Sequence, residues 1–348
     1  MTNTTENNQL YPLVFEPIYK EKVWGAELDH LLSRELPNGK PIQIGESWEV
    51  ADLKQTSISG GGGGAAHSVV SNGWLKGKNI AEVIEKFGES FLGELSLTEQ
   101  GGFPLLVKYL NSGENLSVQV HPHDDFVATH PGTNLKDECW YILDAKENAV
   151  IYKGVKEGVT TQQFRHAIKN KTLADLLIKV PVQKGDCHYI PSGTCHALGG
   201  GVLAAEVQTP SDTTFRVYDW HRTDRELHIE NALECIKFGP PDVKQYEMAV
   251  FEEDALLSRR KLIRCQYYKL DRLIAKTTQR FIVDRPVPTI WMVVEGSGYC
   301  DCSELGRIDL KAGDTILVPP HRSKDIFTMK AKAKWIEVSF PAKQSKQL

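Results

Sequence analysis

An internal repeat is the feature of this sequence that most limits the folds open to it. Residues 184–191 (KGDCHYIP) resemble residues 311–319 (KAGDTILVP), and in both a Pro closes a short apolar run six residues after the Gly of a Gly-Asp pair. Upstream, residues 138–154 pair loosely with residues 289–302. Each copy predicts a strand, a turn, a strand, a linker and a Gly-Asp strand. Two such copies suit two β-barrels of the jelly-roll type, which close their edges by pairing two sheets.

The rest of the chain also favours β-structure, because short runs rich in Val, Ile and aromatic residues are separated by Gly, Pro and Asp turns. Two stretches, residues 79–95 and 160–180, have apolar residues at helical spacing and are predicted to cover the sheets. We therefore expect an all-β dominated fold with a few helices. Residues 1–236 are predicted to form a catalytic, metal-binding domain, and residues 237–348 a C-terminal domain without metal ligands.

Composition excludes several classes of function. The chain has 348 residues and a formal net charge of −4, which gives no basic excess for nucleic acid or an anionic membrane. No run approaches the roughly 20 apolar residues that span a bilayer, and the polar N-terminus MTNTTENNQLY lacks an export signal pattern. Seven scattered cysteines indicate reduced thiols. These features predict a cytoplasmic protein, a monomer or weak homo-oligomer, with a small-molecule partner.

The stretch NLSVQVHPHDDF, residues 115–126, places polar side chains on a strand that is otherwise apolar. Gln119 and His121 are two apart and therefore project from the same face. Glu138 opens the next predicted strand, and His196 follows the turn after Pro191. In a jelly-roll barrel these strands are neighbours, so the four side chains can converge inside it.

The second copy of the repeat lacks this set. His196 comes five residues after Pro191, whereas Lys324 comes five residues after Pro319. The second copy also has no counterpart of the Gln-x-His pair. We therefore expect any chemistry in the first barrel and a structural role for the second.

Two imidazoles, one carboxylate and one amide oxygen can bind a divalent ion of borderline softness, with Zn²⁺ first and Mn²⁺, Fe²⁺ or Co²⁺ as alternatives. A neutral amide and the absence of thiolates would leave the ion positively charged and open to water or substrate. A His on a strand is usually a hydrogen-bonded structural residue, and a hydrogen-bond network is the other interpretation here. Four candidates at barrel-compatible positions favour the metal site.

Further charged residues share the predicted cavity. Lys136 lies two before Glu138, and Glu206, Asp212 and Arg216 follow the last candidate ligand on the next strands. Buried charges are costly unless they are paired or bind a charged ligand. Around a metal they indicate an anionic, hydroxylated substrate, and a phosphate group would suit lysine and arginine.

With these residues in place, the chain resembles the type I mannose-6-phosphate isomerases of the cupin superfamily. The matching segments are residues 103–122, 135–143, 190–201 and 211–220, with weaker matches at 23–25 and 45–52. The resemblance implies two cupin barrels and one zinc ion per chain. It implies the following residues: zinc ligands Gln119, His121, Glu138 and His196; an essential arginine, Arg216; pocket lysines and acids Lys108, Lys136, Glu206 and Asp212; and pocket-lining residues Trp24, Glu46 and Ser117.

The implied activity is the interconversion of mannose 6-phosphate and fructose 6-phosphate through a cis-enediol. Glu206 is the expected general base, Lys136 and Asp212 are relay candidates, and Arg216 would lie against the developing oxyanion. Lys108 would hold the phosphate or a hydroxyl group.

Two other functions remain open at this point. One is an Fe²⁺-dependent cupin dioxygenase, although Gln119 then stands where a His would be expected and the cavity lysine and arginine have no evident task. The other is a sugar-phosphate-binding bicupin without enzymatic activity, although a binding protein needs no Lewis acid.

Overall fold

The computed structural model describes residues 9–27, 34, 43–56 and 63–341. The strands are β1 (Leu13–Glu16), β2 (Ile18–Glu27), β3 (Gln43–Val50), β4 (Asp52–Leu53), β5 (Ala66–His67), β6 (Val69–Val70), β7 (Leu106–Ser112), β8 (Val118–Val120), β9 (Glu138–Ala145), β10 (Val150–Val155), β11 (Leu177–Pro181), β12 (Cys187–Ile190), β13 (His196–Leu198), β14 (Val202–Gln208), β15 (Phe215–Tyr218), β16 (Glu247–Glu253), β17 (Leu257–Arg264), β18 (Lys269–Ala275), β19 (Gln279–Ile282), β20 (Thr289–Glu295), β21 (Ser297–Cys302), β22 (Gly306–Lys311), β23 (Thr315–Val318), β24 (Ile326–Met329) and β25 (Lys334–Ser339). The helices are α1 (Ile80–Phe87), α2 (Glu89–Leu92), α3 (Asp124–Thr129), α4 (Thr161–Lys169) and α5 (Ile229–Cys235), with a 3₁₀ helix at Leu173–Leu176.

The chain forms two compact units, each interrupted in sequence. Among the described residues, the central unit contains 17–27, 34, 43–56, 63–68 and 97–248, and the terminal unit contains 9–16, 69–96 and 249–341. The predicted division at residue 237 lies near the observed 248/249 junction. The prediction placed residues 1–236 in one domain, whereas residues 9–16 and 69–96 belong to the terminal unit. The reason is long-range pairing: β1 joins β23 with Leu13 opposite Leu317, and joins β6 with Phe15 opposite Val70.

The central unit is built from two large antiparallel sheets. The six-stranded sheet has the order β12-β9-β14-β7-β2-β3, and the five-stranded sheet has the order β11-β10-β13-β8-β15. Trp140 and Ala204 of the first sheet share one apolar cluster with Ile151 and Leu198 of the second. The facing sides of the two sheets therefore enclose this part of the core.

Two helices cover the other side of the five-stranded sheet. Val118 and Val120 of β8 belong to a second apolar cluster, together with Phe164 of α4 and Ala232 of α5. Because strand side chains alternate, these valines fix the direction of Gln119 between them toward the space between the sheets.

The terminal unit also contains two sheets. Their strand orders are β16-β17-β18-β25-β20-β23-β1-β6 and β19-β24-β21-β22. Trp291 and Trp335 of the larger sheet make ring contacts with Phe281 of the smaller one, and Trp291 also contacts Phe327, with centroid distances of 4.9–6.0 Å. Aromatic side chains thus join these two sheets. The prediction of an all-β dominated fold with two jelly-roll, cupin-like units and few helices is confirmed.

The repeat that was recognised in the sequence has the same structure in both units. Gly185 and Gly313 adopt φ of 94° and 92°, a left-handed conformation that favours glycine. The following Asp186 accepts a hydrogen bond from the backbone amide of Gln183, three residues earlier, at 2.9 Å. Asp314 accepts one from the backbone amide of Lys311, also three residues earlier, at 2.8 Å. The next strands, β12 and β23, pair with β9 and β20 respectively.

A buried tryptophan–glutamate pair also occurs in both units, and the sequence analysis missed it. The indole Nε1 of Trp140 donates to Oε2 of Glu206 at 2.9 Å, and Nε1 of Trp291 donates to Oε2 of Glu337 at 3.0 Å. In each unit the two residues lie directly opposite one another on neighbouring strands. The pair therefore belongs to the architecture that the two units share.

The helix predictions hold in part. Residues 79–95 form α1 and α2, interrupted at Gly88 with φ of 47°, and Asn79 forms a capping box with Glu82 at the start of α1. The prediction of helix through residue 180 was wrong. The chain leaves the helix near Lys171, where φ is 59°, and ends this stretch as β11, which pairs with β10. None of the helices in the described ranges has the length and apolar character needed to cross a membrane.

Candidate metal centre

Strand alternation brings two of the predicted ligands together on the five-stranded sheet. Gln119 of β8 and His196 of β13 are direct partners in the ladder between these strands. Their neighbours Val118, Val120 and Ala197 pack on the helix-covered side. Gln119 and His196 therefore both face the interior of the central unit.

The other two predicted ligands complete the group from nearby positions. His121 follows β8 directly, and Glu138 is the first residue of β9 in the six-stranded sheet. The potential ligand atoms of His121, Glu138 and His196 lie within 4.8 Å of one another, and all three residues are buried. Over the described ranges this is the one group of three or more His, Cys, Asp or Glu side chains with such geometry.

Backbone carbonyl groups fix the tautomer of both imidazoles. Nδ1 of His121 lies 2.9 Å from the carbonyl oxygen of Thr213, and Nδ1 of His196 lies 2.8 Å from that of Thr194. A carbonyl oxygen can only accept, so each Nδ1 carries the proton. In this tautomer each ring presents Nε2 to the centre, the arrangement that metal-binding histidines require.

Glu138 supplies a buried negative charge at the same point. Its Oε1 lies 3.2 Å from Nε2 of His196 and its Oε2 lies 3.5 Å from Nε2 of His121. Apart from its ion pair with Lys136, neither carboxylate oxygen accepts a hydrogen bond from the described part of the chain. Burial alone would raise the pKa of Glu138, but the nearby positive charge of Lys136 holds this pKa well below its ordinary value. A buried, ionised carboxylate that depends on one cationic neighbour fits a site for a bound cation.

Lys136 places a positive charge next to the carboxylate and one imidazole of this group. Its Nζ lies 2.7 Å from Oε2 of Glu138 and 3.0 Å from Nε2 of His121. Burial first, and then this ammonium group, lower the pKa of His121 to about 3, so the ring is neutral at physiological pH. A divalent ion held by His121 and Glu138 would take over these contacts from the lysine.

Gln119 stands at the edge of the group. Its Nε2 lies 3.4 Å from Nε2 of His196, and Ser117 Oγ donates to its Oε1 at 3.4 Å. A half-turn of the amide exchanges its oxygen and nitrogen, so the same side chain can present Oε1 to the centre. The amide thus fits the fourth ligand position that the sequence predicted.

A pocket of about 290 Å³ opens beside this group within the central unit. It is lined by every predicted site residue that is not a ligand: Trp24, Glu46, Lys108, Ser117, Lys136, Glu206, Asp212 and Arg216. Gln119 also lines it. Sequence reasoning missed the lining residues Lys22, Arg225 and Trp140. Lys22 could have been found, because it shares a strand face with Trp24, but Arg225 lies in a loop after β15 without any pattern.

Charges of alternating sign follow one wall of the pocket. Lys108 lies 3.1 Å from Oε1 of Glu206 and 3.6 Å from Oε2 of Glu46, which in turn lies 3.3 Å from Lys22 through Oε1. Burial alone would lower the pKa of Lys108, but the two carboxylates raise it above its ordinary value. Burial would raise the pKa of Glu46, whereas Lys108 and Lys22 lower it to about 2. Lys108 and Glu46 are therefore both charged at neutral pH.

Comparisons with known proteins decide the family. The family model "Phosphomannose isomerase type I, catalytic domain" matches residues 13–150. Mannose-6-phosphate isomerase ManA of Bacillus subtilis is 34% identical over 314 residues, which cover 88% of this chain and 93% of the relative. This chain belongs to the type I phosphomannose isomerases.

A second relative and a solved structure support this assignment to the phosphomannose isomerases. The probable mannose-6-phosphate isomerase GmuF of Bacillus subtilis is 38% identical over 248 residues, covering 68% of this chain and 73% of that protein. The crystal structure of the mannose 6-phosphate isomerase from Bacillus subtilis matches with a TM-score of 0.80 and 31% identity, covering 95% of this chain and all of that one. The predicted family is confirmed.

Proposed function

We propose that this protein interconverts mannose 6-phosphate and fructose 6-phosphate. The observation that carries the proposal is the convergence of the buried His121, Glu138 and His196 group with a pocket lined by charged side chains, in a chain of the phosphomannose isomerase family. An aldose–ketose exchange moves one proton from C2 to C1 and a second proton from the oxygen on C2 to the oxygen on C1, so that the carbonyl group moves from C1 to C2. It needs a base, a group that stabilises developing negative charge, and a binding site for the sugar phosphate.

The proposed cofactor is one zinc ion per chain, with Gln119, His121, Glu138 and His196 as its ligands. The fit rests on the two Nε2 atoms that point to the centre and on the buried carboxylate of Glu138 beside them. When bound, such an ion supplies Lewis acidity toward the substrate oxygen atoms at the reacting carbons. Elemental analysis of the purified protein tests the metal, and His196→Ala should lose bound metal and activity together.

Glu206 is the proposed general base for proton transfer through a cis-enediol. Its carboxylate lines the pocket, and Trp140 and Lys108 hold it in one orientation. A positioned base can return the proton it has abstracted to the adjacent carbon. Lys136 and Asp212, which line the same pocket, are the proposed relays.

Arg216 is proposed to stabilise the negative charge that develops on the substrate oxygen. It lines the pocket directly opposite Gln119 in the β15–β8 ladder, and is therefore close to the candidate ligands. Electrostatic stabilisation of this kind requires a donor fixed in place before the reaction. Arg216→Ala should greatly reduce kcat while bound zinc stays near one per chain.

The test of the proposed function is a coupled assay of fructose 6-phosphate formation from mannose 6-phosphate. It is run on the purified protein, after chelation, and after zinc is added back. Activity that is lost and then restored supports both the substrate and the metal. No turnover with zinc restored would refute the isomerase proposal. Glu206→Gln should abolish proton exchange between substrate and solvent, whereas Glu337→Gln, at the matching position of the terminal unit, should leave it unchanged.

The proposed setting is the cytoplasm, with a sugar phosphate as partner and a monomeric or weakly associating chain. All seven cysteines, which lie within the described ranges, are free thiols, as a reducing compartment requires. Sedimentation of the purified protein at several concentrations tests the oligomeric state.

A further inference from the structure

The lysines of the pocket are already paired with carboxylates. Lys22 lies 3.3 Å from Glu46, and Lys108 lies 3.1 Å from Glu206. Lys136 lies 2.7 Å from Glu138 at the candidate metal centre. Each of these ammonium groups therefore already has a carboxylate beside it. On the lysine side of the pocket a dianionic phosphate would lie next to these negative charges, which disfavours binding there.

The arginine side of the pocket has a different charge balance. Arg216 forms no ion pair with a carboxylate of the described residues; Nη1 donates instead to the backbone carbonyl of Glu226 at 2.8 Å. Its Nε is buried and has no partner in the same part of the chain. Burial first, and then the positive charge of Arg225, lower the pKa of Arg216 below its ordinary value. Arg216 therefore lines the pocket without a direct ion pair to a described carboxylate.

The buried carboxylate of Asp219 forms ion pairs with two other arginines, Arg222 and Arg225. Asp219, whose side chain is 1% exposed, accepts from Nε of Arg225 at 2.6 Å and from Nη2 of Arg222 at 2.8 Å. Arg222 also donates through Nη2 to the carbonyl oxygen of Asn115 at 2.7 Å and through Nη1 to Glu114 at 3.2 Å, and it does not line the pocket. Arg225 instead lines the pocket. Its Nη1 has no hydrogen-bond partner among the residues that the structure describes.

We infer that Arg225 is the residue that binds the phosphate group of the substrate, with the unpaired charge of Arg216 on the same wall of the pocket. Arginine suits this role because its planar fork offers parallel donors to phosphate oxygens, and Asp219 holds the fork in place in advance. The phosphate would then lie on the arginine side, leaving Lys108 to contact a sugar hydroxyl. The inference rests on the proposed function for the identity of the sugar phosphate, but the phosphate site itself can be tested separately.

The direct test is calorimetric titration of the zinc-loaded full-length protein with inorganic phosphate. Arg225→Gln should weaken phosphate binding by about 10- to 100-fold, the usual range for losing hydrogen bonds to a charged group. Arg222→Gln is the matched control, because it shares Asp219 but does not line the pocket, and it should bind phosphate within about twofold of the wild type. Equal affinities of the wild type and Arg225→Gln would overturn the inference.

Turnover separates this inference from the proposed function. Arg225→Gln should lower kcat/KM for mannose 6-phosphate by about tenfold or more relative to its effect on free mannose, because free mannose has no phosphate group for Arg225 to bind. Equal losses for both sugars would overturn the phosphate role. A wild-type protein without any isomerase activity would refute the proposed function, yet the phosphate titration would still test Arg225.

A second measurement needs no substitution, in case Arg225→Gln does not fold. The wild-type protein is treated with phenylglyoxal, which modifies accessible arginines, with and without inorganic phosphate, and modified residues are identified by mass spectrometry. Phosphate should protect Arg225 and leave Arg222 unprotected. Modification of Arg225 at the same rate in both samples would overturn the inference.

Discussion

Replacing Trp140 by Phe tests whether the tryptophan–glutamate pair of the central unit supports activity as well as stability. Trp140 is 1% exposed, and its indole donates to Oε2 of Glu206 at 2.9 Å. Phe keeps an aromatic ring in the core but removes the donor. The buried carboxylate of Glu206 then keeps Lys108, 3.1 Å from its other oxygen, and loses its bond to the indole.

The structure sets the expected size of the effect. A hydrogen bond to a charged group contributes about 1.5–3 kcal/mol, and the smaller ring also leaves unfilled volume in the core. We therefore expect the free energy of unfolding to fall by about 2–4 kcal/mol. We also expect kcat to fall by about tenfold or more, because a displaced base loses its alignment with the substrate.

The terminal unit offers a matched control. Trp291 is 2% exposed and donates to Glu337 at 3.0 Å, so Trp291→Phe removes the same bond in a similar environment. It should lower stability by a similar amount and leave kcat unchanged. Denaturant unfolding followed by circular dichroism gives the stabilities, and the coupled assay gives kcat at verified metal content. A loss of kcat that is equal in the two variants, or full activity in Trp140→Phe, would refute the reasoning.

Three further predictions concern the metal, acid and the backbone. Chelation should lower the midpoint of thermal unfolding and added Zn²⁺ should restore it, because a ligand of the folded state stabilises that state; an unchanged midpoint after verified removal contradicts this. The pKa of Glu46 is about 2 in the folded protein, below its ordinary 4.5, so its stabilisation is present above about pH 4.5 and is lost as the pH falls toward 2. Glu46→Gln should therefore lose stability less steeply over this range in acid denaturation, and an equal slope would contradict the prediction. Gly185→Ala should lower the free energy of unfolding by about 1–2 kcal/mol through backbone strain alone. The reason is that φ is 94° and no neighbouring atom of the described residues lies within 4 Å of an added methyl group. Chemical denaturation measures this free energy, and unchanged stability would mean that the turn relaxes.

The clustering of His121, Glu138 and His196 could be predicted because much of its information is local. Gln119 alternates with valines on β8, His121 follows two residues later, and Glu138 opens the strand that the family resemblance places nearby. Period-two alternation decides which face a side chain occupies, and it needs no knowledge of distant contacts. The Gly-Asp turns were also predictable, because the same residues recur with the same spacing around Gly185 and Gly313.

Long-range partners could not be predicted from a single sequence. The pairing of β1 with β23 joins residues about 300 positions apart, such as Leu13 and Leu317. The spacing of Lys136 places it on the face of Glu138, but does not show that its ammonium group also reaches His121. The strand β11 was mistaken for a helix because Leu173, Leu176 and Leu177 continue a helical spacing up to its first residue. The ladder with β10 overrides that local preference.

The candidate ligands come from both sheets of the central unit. Gln119 and His196 belong to the five-stranded sheet, and Glu138 belongs to the six-stranded sheet. An ion held by all of them would therefore act as a cross-link through the core, as a disulfide does between strands. Its removal would loosen the contact between the two sheets at this end. Amide exchange of β8, β9 and β13 should then accelerate together once the metal is removed.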